Sequence, residues 1–170
     1  MKRIIFILLV LAAVIFAGVI VWKNYFGESD QDVIGRRLRE VTRTLGKIGS
    51  ESFLVQMEHA RTVSKYFDEI CDVRLPKFNR VAKMSRDNIT QNVITVRNWS
   101  TNLEISVYDP EYFFQEGDPL RCKVLFTGMV NARVKTGESF REAYDLETDW
   151  VKKDGDWLIE GVGFSGILQR

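Results

Sequence analysis

The chain has 170 residues, room for one globular domain and a short additional segment. Its 24 basic and 23 acidic side chains nearly balance, and setting aside Lys2, Arg3 and Lys23 leaves 21 basic against 23 acidic residues. That balance lacks the clustered positive charge of a nucleic-acid-binding protein, so we expect no nucleic acid partner. One histidine and two cysteines form no typical zinc-ligand set, and we expect no metal and no cofactor.

The N-terminus carries the first recognisable element. Residues 4–22 run without a charge, which as a helix gives nearly the ~30 Å of a bilayer core. Lys23 and Tyr25 follow, residue types found at membrane interfaces. The pattern predicts that residues 1–26 are a transmembrane anchor that places residues 4–22 in a membrane. The alternative is a signal sequence cleaved after Ala17, which would leave a secreted domain.

The basic residues at the two ends of this segment indicate its orientation. Lys2 and Arg3 favour a cytoplasmic N-terminus, although the arginines after Lys23 weaken the bias. We therefore expect a single-pass protein of the cell membrane with residues 27–170 outside the cytoplasm, periplasmic in a bacterium.

Three helices are predicted after a polar linker. Asp30 is expected to cap the first, whose arginines we interpret as a solvated face; the second begins at Ser50 or Ser52, and Ser85 caps the third, with Trp99 near its end. The first two carry apolar residues at helical spacing: Val33, Ile34, Leu38, Val41, Leu45 and Ile48, then Phe53, Met57, Ala60, Val63 and Phe67. His59, the only histidine, lies off the apolar side of the second helix.

The remaining pattern is that of strands. Residues 69–75 suggest one short strand, ended by Pro76. From residue 102 the apolar period changes to two, with turn signals between four long strands at about 102–115, 120–134, 138–152 and 157–168. The fold class is therefore α+β, with three helices packed on one face of a curved antiparallel sheet.

The last hairpin allows a prediction of register. Asp154-Gly155 suits a type I′ turn, which pairs Lys152 with Trp157 and directs Trp157 and Trp150 towards the helices. Continued regular pairing sets Gly161 opposite Thr148 and Gly163 opposite Leu146. The two glycines then leave either a vacancy for a ligand or the site of a bulge or close backbone approach.

The segment YDLETDWVKKDGDWLI, residues 144–159, together with the element order, resembles the nuclear transport factor 2-like superfamily. This superfamily includes the SnoaL-like and ketosteroid-isomerase-like proteins, and the similarity covers about residues 29–168. It implies a cone-shaped, cystatin-like domain with a cavity between sheet and helices, often dimeric through the sheet. Its members include isomerases, dehydratases, cyclases and proteins that only bind.

The resemblance also implies where a pocket would lie. In the ketosteroid-isomerase-like pattern an acidic base stands near the first strand, where Tyr66, Asp68 or Asp72 would match. Strand 120–134 has no carboxyl group to complete such a set, so we name no catalytic residue. The pocket candidates are these three residues and four aromatic ones, namely Trp99, Tyr144, Trp150 and Trp157.

Two functions follow from these features. The first is a membrane-anchored extracytoplasmic binding or protein-interaction domain with an envelope protein partner, an arrangement similar to that of the bitopic inner-membrane component of type IV secretion complexes. The alternative is a small-molecule isomerase or dehydratase of the ketosteroid-isomerase-like kind. Cys71 and Cys122 either pair in an oxidising compartment or are two separate buried thiols.

Overall fold

The computed structural model of the chain describes residues 28–75 and 80–167. The three helices are α1 (Asp30–Leu45), α2 (Phe53–Ser64) and α3 (Arg86–Trp99). Ser52 and Ser85 cap α2 and α3 as predicted, each accepting a backbone N–H of the first turn. At α1 the prediction of an Asp30 cap is wrong, because Ser29 accepts the Asp32 N–H one residue earlier.

Seven strands form one sheet. They are β1 (Lys47–Ile48), β2 (Phe67–Leu75), β3 (Arg80–Ser85), β4 (Ser100–Gln115), β5 (Asp118–Val134), β6 (Ser139–Lys153) and β7 (Asp156–Ile167). Their order is β1-β4-β5-β6-β7-β2-β3. The sheet is mixed rather than antiparallel throughout, because β2 runs parallel to β7. The fold is nevertheless the α+β, cystatin-like arrangement expected, with β1 and β3 added.

The predicted start of the last hairpin is confirmed. Asp154 and Gly155 both have positive φ, 52° and 89°, and Lys152 pairs with Trp157. Trp150 and Trp157 therefore share the sheet face that the helices cover, and both are 0% exposed. Removing two indole rings from water makes this hairpin a central part of the core.

Further along the hairpin a bulge changes the register. Trp150 pairs with Ile159 but Asp149 pairs with Gly161, so one residue of β7 is left over. The prediction that Gly161 faces Thr148 and Gly163 faces Leu146 is therefore wrong; the two glycines lie on the opposite face. A Cβ on Gly163 would lie 2.6 Å from Glu147 Oε1. Close approach of side chains explains the glycines, and the alternative of a ligand vacancy is wrong.

The two cysteines lie in different parts of the sheet. Both Cys71 and Cys122 are buried as free thiols, on β2 and β5. Three strand spacings, about 14 Å, separate these strands, whereas a disulfide requires Cα atoms within about 7 Å. Burial, the main cause, raises the thiol pKa of Cys71 to about 12 and that of Cys122 to about 11. The structure thus supports two separate buried thiols.

The proposed anchor, residues 4–22 within segment 1–26, lies outside the described residues. Across residues 28–75 and 80–167, no helix has the length and apolar character needed to cross a membrane.

Candidate functional site

A pocket lies where the C-terminal half of α1 and the short strand β1 meet β4. It is open to solvent and has a volume of about 1240 Å³. The lining comes from α1, the turn and strand that follow it, and three sheet strands: Arg39, Thr42, Arg43, Gly46, Lys47, Ile48, Glu51, Asn102, Leu103, Glu104, Ile105, Ser106, Val107, Asn131, Ala132, Arg133, Ser139, Phe140 and Arg141.

The pocket is basic over a partly apolar surface. Five of its side chains are basic and two are acidic. Arg39 and Arg43 project from α1, while Arg133 and Arg141 stand on β5 and β6. Apolar lining comes chiefly from the β4 side chains Ile105 and Val107, with Ile48 and Phe140. Such a lining favours a ligand with both negative charge and apolar groups.

Lys47 is the one basic lining residue that is buried. Its ammonium group donates hydrogen bonds to the carbonyl oxygens of Arg97 at 2.6 Å and Ser100 at 2.8 Å. Burial lowers the pKa of Lys47, and the nearby Glu51 carboxylate acts in the opposite direction. These bonds fix β1 against the end of α3.

A buried arginine supports the pocket wall from behind. Arg97 is 0% exposed and its Nη2 contacts both carboxylate oxygens of Glu51, at 2.6 and 2.7 Å, and Nδ1 of His59 at 2.6 Å. Its Nη1 donates to the carbonyl oxygens of Thr44 and Gly46, each at 2.7 Å. The guanidinium group thus satisfies acceptors at the end of α1 and holds Glu51 at the pocket edge.

The carboxyl groups in the lining are Glu51 and Glu104. Both oxygens of Glu51 already accept hydrogen bonds from Arg97. The lining residues contain no histidine, and His59 instead contacts Arg97. In the described part of the chain, no three His, Cys, Asp or Glu side chains come together as a metal site.

None of the seven predicted pocket residues lines this pocket. The Tyr66 hydroxyl donates to Glu40 at 3.0 Å, and its pKa is raised by burial and by that hydrogen bond. Asp68 is buried and paired with Lys153 at 2.6 Å. Asp72 pairs in register with Gly161, on the sheet face that the helices do not cover.

The four aromatic candidates have different positions. Trp150 and Trp157 belong to the core, where Trp150 Nε1 donates to Thr148 Oγ1 at 2.8 Å and Trp157 meets Phe114 edge-on at 6.0 Å between ring centres. Tyr144 donates to Glu142 and packs edge-on against Phe164.

Trp99 comes nearest to the pocket. It is exposed, and its ring lies 6.0 Å from that of the lining residue Phe140. Of the seven predicted residues, Trp99 therefore neighbours the pocket and none forms its walls. The sequence signal for this pocket is the pair Arg39 and Arg43, two basic residues one turn apart near the end of a helix. The interpretation of these arginines as a solvated helix face missed it.

Comparison with known proteins identifies the fold. No protein-family model matches the sequence, and no curated protein matches it. Three similar solved structures are a proposed calcium/calmodulin-dependent protein kinase II association domain from Xanthomonas campestris, an uncharacterised cystatin-like protein from Caulobacter vibrioides and a type 2 hexachlorocyclohexane dehydrochlorinase.

The match to each extends over most of both chains. The TM-scores are 0.63, 0.61 and 0.63, with 12%, 11% and 6% sequence identity in the same order. The alignments cover 84%, 82% and 82% of this chain and 91%, 89% and 85% of the others. The domain therefore has the cystatin-like, nuclear transport factor 2-like fold, and at these identities the likeness concerns the fold alone.

Proposed function

We propose that this chain is a membrane-tethered binding domain that uses its basic pocket to hold a partner outside the cytoplasm. The observation that carries the proposal is the pocket itself, with five basic side chains over an apolar floor and its Glu51 carboxylate held by Arg97. Such a lining suits recognition better than proton transfer, which needs a group free to gain or lose a proton.

The tether rests on the sequence. The uncharged run of residues 4–22, preceded by Lys2 and Arg3, supports a single membrane span with the domain outside the cytoplasm. A domain held at a membrane meets a partner in the envelope at high local concentration, so tethering favours a protein partner over a diffusing metabolite.

Self-association forms a second part of the proposal. On the sheet face away from the helices, Phe113 and Leu125 are exposed on the neighbouring strands β4 and β5. We include a homodimer through this face. A Leu125→Glu variant should then shift the mass measured by light scattering from dimer to monomer. If the wild-type protein is itself a monomer, the proposed homodimer is wrong.

The experiment that tests the proposal is crosslinking in intact membranes. A photoreactive residue at Glu104, in the pocket, should give a constant product with a neighbouring protein, and the same probe at exposed Glu58 on α2 serves as the control. Protease added to intact cells or to spheroplasts should reach the domain from outside the cytoplasm. Absence of a product specific to the Glu104 probe, or protection of the domain from external protease, would contradict the proposal.

A small-molecule isomerase or dehydratase is the second candidate. The dehydrochlorinase of the same fold favours it, as does a buried carboxylate, Asp68, near the start of the sheet. Two other observations weigh against it. The Lys153 ammonium at 2.6 Å already pairs with this carboxylate and holds it ionised, and Trp150 and Trp157 fill the core beside the last hairpin. Turnover of ketosteroids or cyclic hydroxyketones that is abolished by Asp68→Asn would establish it.

A further inference from the structure

We infer that the occupant of the basic pocket is an extended acidic segment of a partner protein, which adds as a strand to the free edge of β4. This inference rests on the proposed binding function and specifies its ligand. Three features of the pocket support it: an unpaired strand edge, the direction of its backbone groups and the charges around it.

The free edge of β4 begins beyond Lys47, the first residue of β1. The two residues of β1 pair with Leu103 and Asn102, whereas β4 continues to Gln115. Among the described residues no other strand pairs with β4 on that side. The pocket lies along this edge and includes the unbroken run 102–107 in its lining. A sheet edge of this kind is a template for another strand.

The backbone direction can be read from a contact at Gly46. A Cβ on that residue would lie 3.3 Å from the carbonyl oxygen of Leu103, so the Leu103 carbonyl points towards the β1 side. Antiparallel strands direct alternate residues to opposite edges, and β4 pairs regularly with β5 from Asn102 to Tyr108. Ile105 and Val107 therefore direct their N–H and C=O groups into the pocket.

A bulge sets the far end of the open edge. The β4 register shifts after Tyr108, Asp109 has a φ of 50°, and Pro110 has no N–H to donate. The regular open edge is therefore the stretch 104–107, roughly 14 Å long at ~3.4 Å per residue. This length accommodates about four residues of an added strand.

The charges around the edge select an acidic segment. Arg39 and Arg43 stand on the α1 side of the pocket, and Arg133 and Arg141 on the sheet side, so an added strand would lie in a surrounding of positive charge that favours carboxylates. A second copy of this chain would bring its own arginines to the same place. Charge repulsion therefore disfavours pairing of two β4 edges.

The apolar residues of the pocket fit the alternation of a strand. Ile48, at the end of β1, is 89% exposed, and Phe140 lies against exposed Trp99. Phe140 pairs with Ala132, whereas Arg133 and Arg141 lie on the opposite face of the sheet. Side chains of an added strand alternate between these two faces, so acidic residues would meet Arg133 and Arg141 while apolar residues cover Phe140. The pocket, about 1240 Å³, is also larger than the roughly 300–1,000 Å³ typical of small-molecule sites.

A random-peptide selection with a structural readout tests the inference. Full-length protein in detergent micelles is used to select binders from a displayed library of random ten-residue peptides. The expected products alternate acidic and apolar residues and lack an internal proline. On binding of such a peptide, amide hydrogen exchange at Ile105 and Val107 should slow, while Ser106, already paired with β5, should change little.

Two variants at Ile105 separate the contribution of its backbone N–H to peptide binding from that of its side chain. Ile105→Pro removes an edge N–H without touching the β4–β5 ladder and should weaken peptide binding about fivefold to tenfold. Ile105→Ala keeps that N–H and shortens only the apolar side chain, so it should bind peptide more tightly than Ile105→Pro. Arg39→Glu should abolish the preference for acidic peptides. Circular dichroism of each variant confirms that it is folded.

Several outcomes would overturn the inference. Enrichment of basic or non-extended peptides, absence of any enriched peptide, or binding without slower exchange at Ile105 and Val107 each excludes strand addition. Slower exchange at these amides on raising the protein concentration alone would assign the edge to a second copy. If a crosslinked neighbour is still found in membranes, the proposed binding function stands without strand addition; if none is found, both fail.

Discussion

The Asp68 carboxylate lies 2.6 Å from the ammonium nitrogen of Lys153, joining β2 to the end of β6. Asp68 is buried, and burial alone would raise its pKa, but the hydrogen bond from Lys153 and one from the Glu69 backbone lower it overall. The same bond raises the pKa of Lys153. Both shifts favour the charged pair, so this contact locks the last hairpin to the strand beside it.

Asp68→Asn should lower the free energy of unfolding at pH 7 by about 1 kcal/mol, because Lys153 is half exposed and solvent weakens the pair. Since the folded-state pKa of Asp68 lies below the unfolded value of about 3.9, its contribution is present above that pH and is lost as pH falls through the folded pKa. The difference between wild type and variant in urea unfolding should therefore shrink below about pH 3.5.

Unfolding at alkaline pH tests the same ion pair through Lys153, whose contribution to stability changes with pH in the opposite direction. The raised pKa of Lys153 means that its contribution is present below the unfolded value of about 10.4 and is lost as pH rises through the folded pKa. Asp72→Asn, in the same strand, is the control and should cost less at pH 7. A destabilisation by Asp68→Asn that stays constant from acid to alkali would contradict this account.

Trp150 and Trp99 offer a matched pair of substitutions. Trp150→Ala should cost about 3–5 kcal/mol, because a fully buried ring and its hydrogen bond to Thr148 are lost. Trp99→Ala should cost about 1 kcal/mol or less, because the ring is exposed and has Phe140 as its aromatic neighbour. Guanidinium unfolding curves with equal slopes measure both, and similar costs would show that Trp150 does not organise the core.

Much of the fold could be predicted because its signals are local. Caps at Ser52 and Ser85, the alternation along the long strands and the Asp154-Gly155 turn each depend on a few neighbouring residues. The parallel pairing of β2 with β7 could not, because it joins residues about 90 positions apart and leaves no periodic pattern. The hairpin prediction held until the bulge, where one extra residue reversed the facing of the β7 side chains from Gly161 to Phe164.

Gly163 and Glu147 allow the consequence of that bulge to be measured. Gly163→Ala places a Cβ 2.7 Å from Glu147 Cγ, so the Glu147 side chain must move and its 3.0 Å bond with Arg74 weakens. We expect a cost of about 1–2 kcal/mol in urea unfolding. Glu147→Ala leaves room for the added methyl group. The double variant should therefore be more stable, by about 0.5–1 kcal/mol, than the sum of the two single effects predicts. Strict additivity would contradict the contact.

The pocket was harder to predict than the fold. Its walls come from the end of one helix, a two-residue strand and the edge of β4, and only the folded chain brings these together. Two of the aromatic residues that were candidates for a cavity, Trp150 and Trp157, instead fill the core, because they face the helices and are fully buried. An open strand edge is the absence of a neighbouring hydrogen-bonded strand, and no single residue type indicates it in the sequence.

Substitutions of Arg97 test whether its hydrogen bonds stabilise the pocket wall. Arg97→Met should cost about 3–5 kcal/mol, because it removes a fully buried guanidinium group and leaves the carbonyl oxygens of Thr44 and Gly46 and the Glu51 carboxylate without their donor. Arg97→Lys should recover only part of this, since one ammonium group cannot span the acceptors that a guanidinium fork reaches. Arg121→Met, which removes an exposed pair with Glu160, is the control and should cost about 1 kcal/mol or less.

The arrangement around Arg97 also predicts a local effect. Without the guanidinium group, the end of α1 and the segment bearing Glu51 lose their common anchor, so amide exchange at Lys47 and Ile48 should accelerate more than exchange at Trp150 or Val151 in the core. Uniform acceleration throughout the chain would instead mean that Arg97 stabilises the domain as a whole, and that the pocket wall does not depend on it in particular.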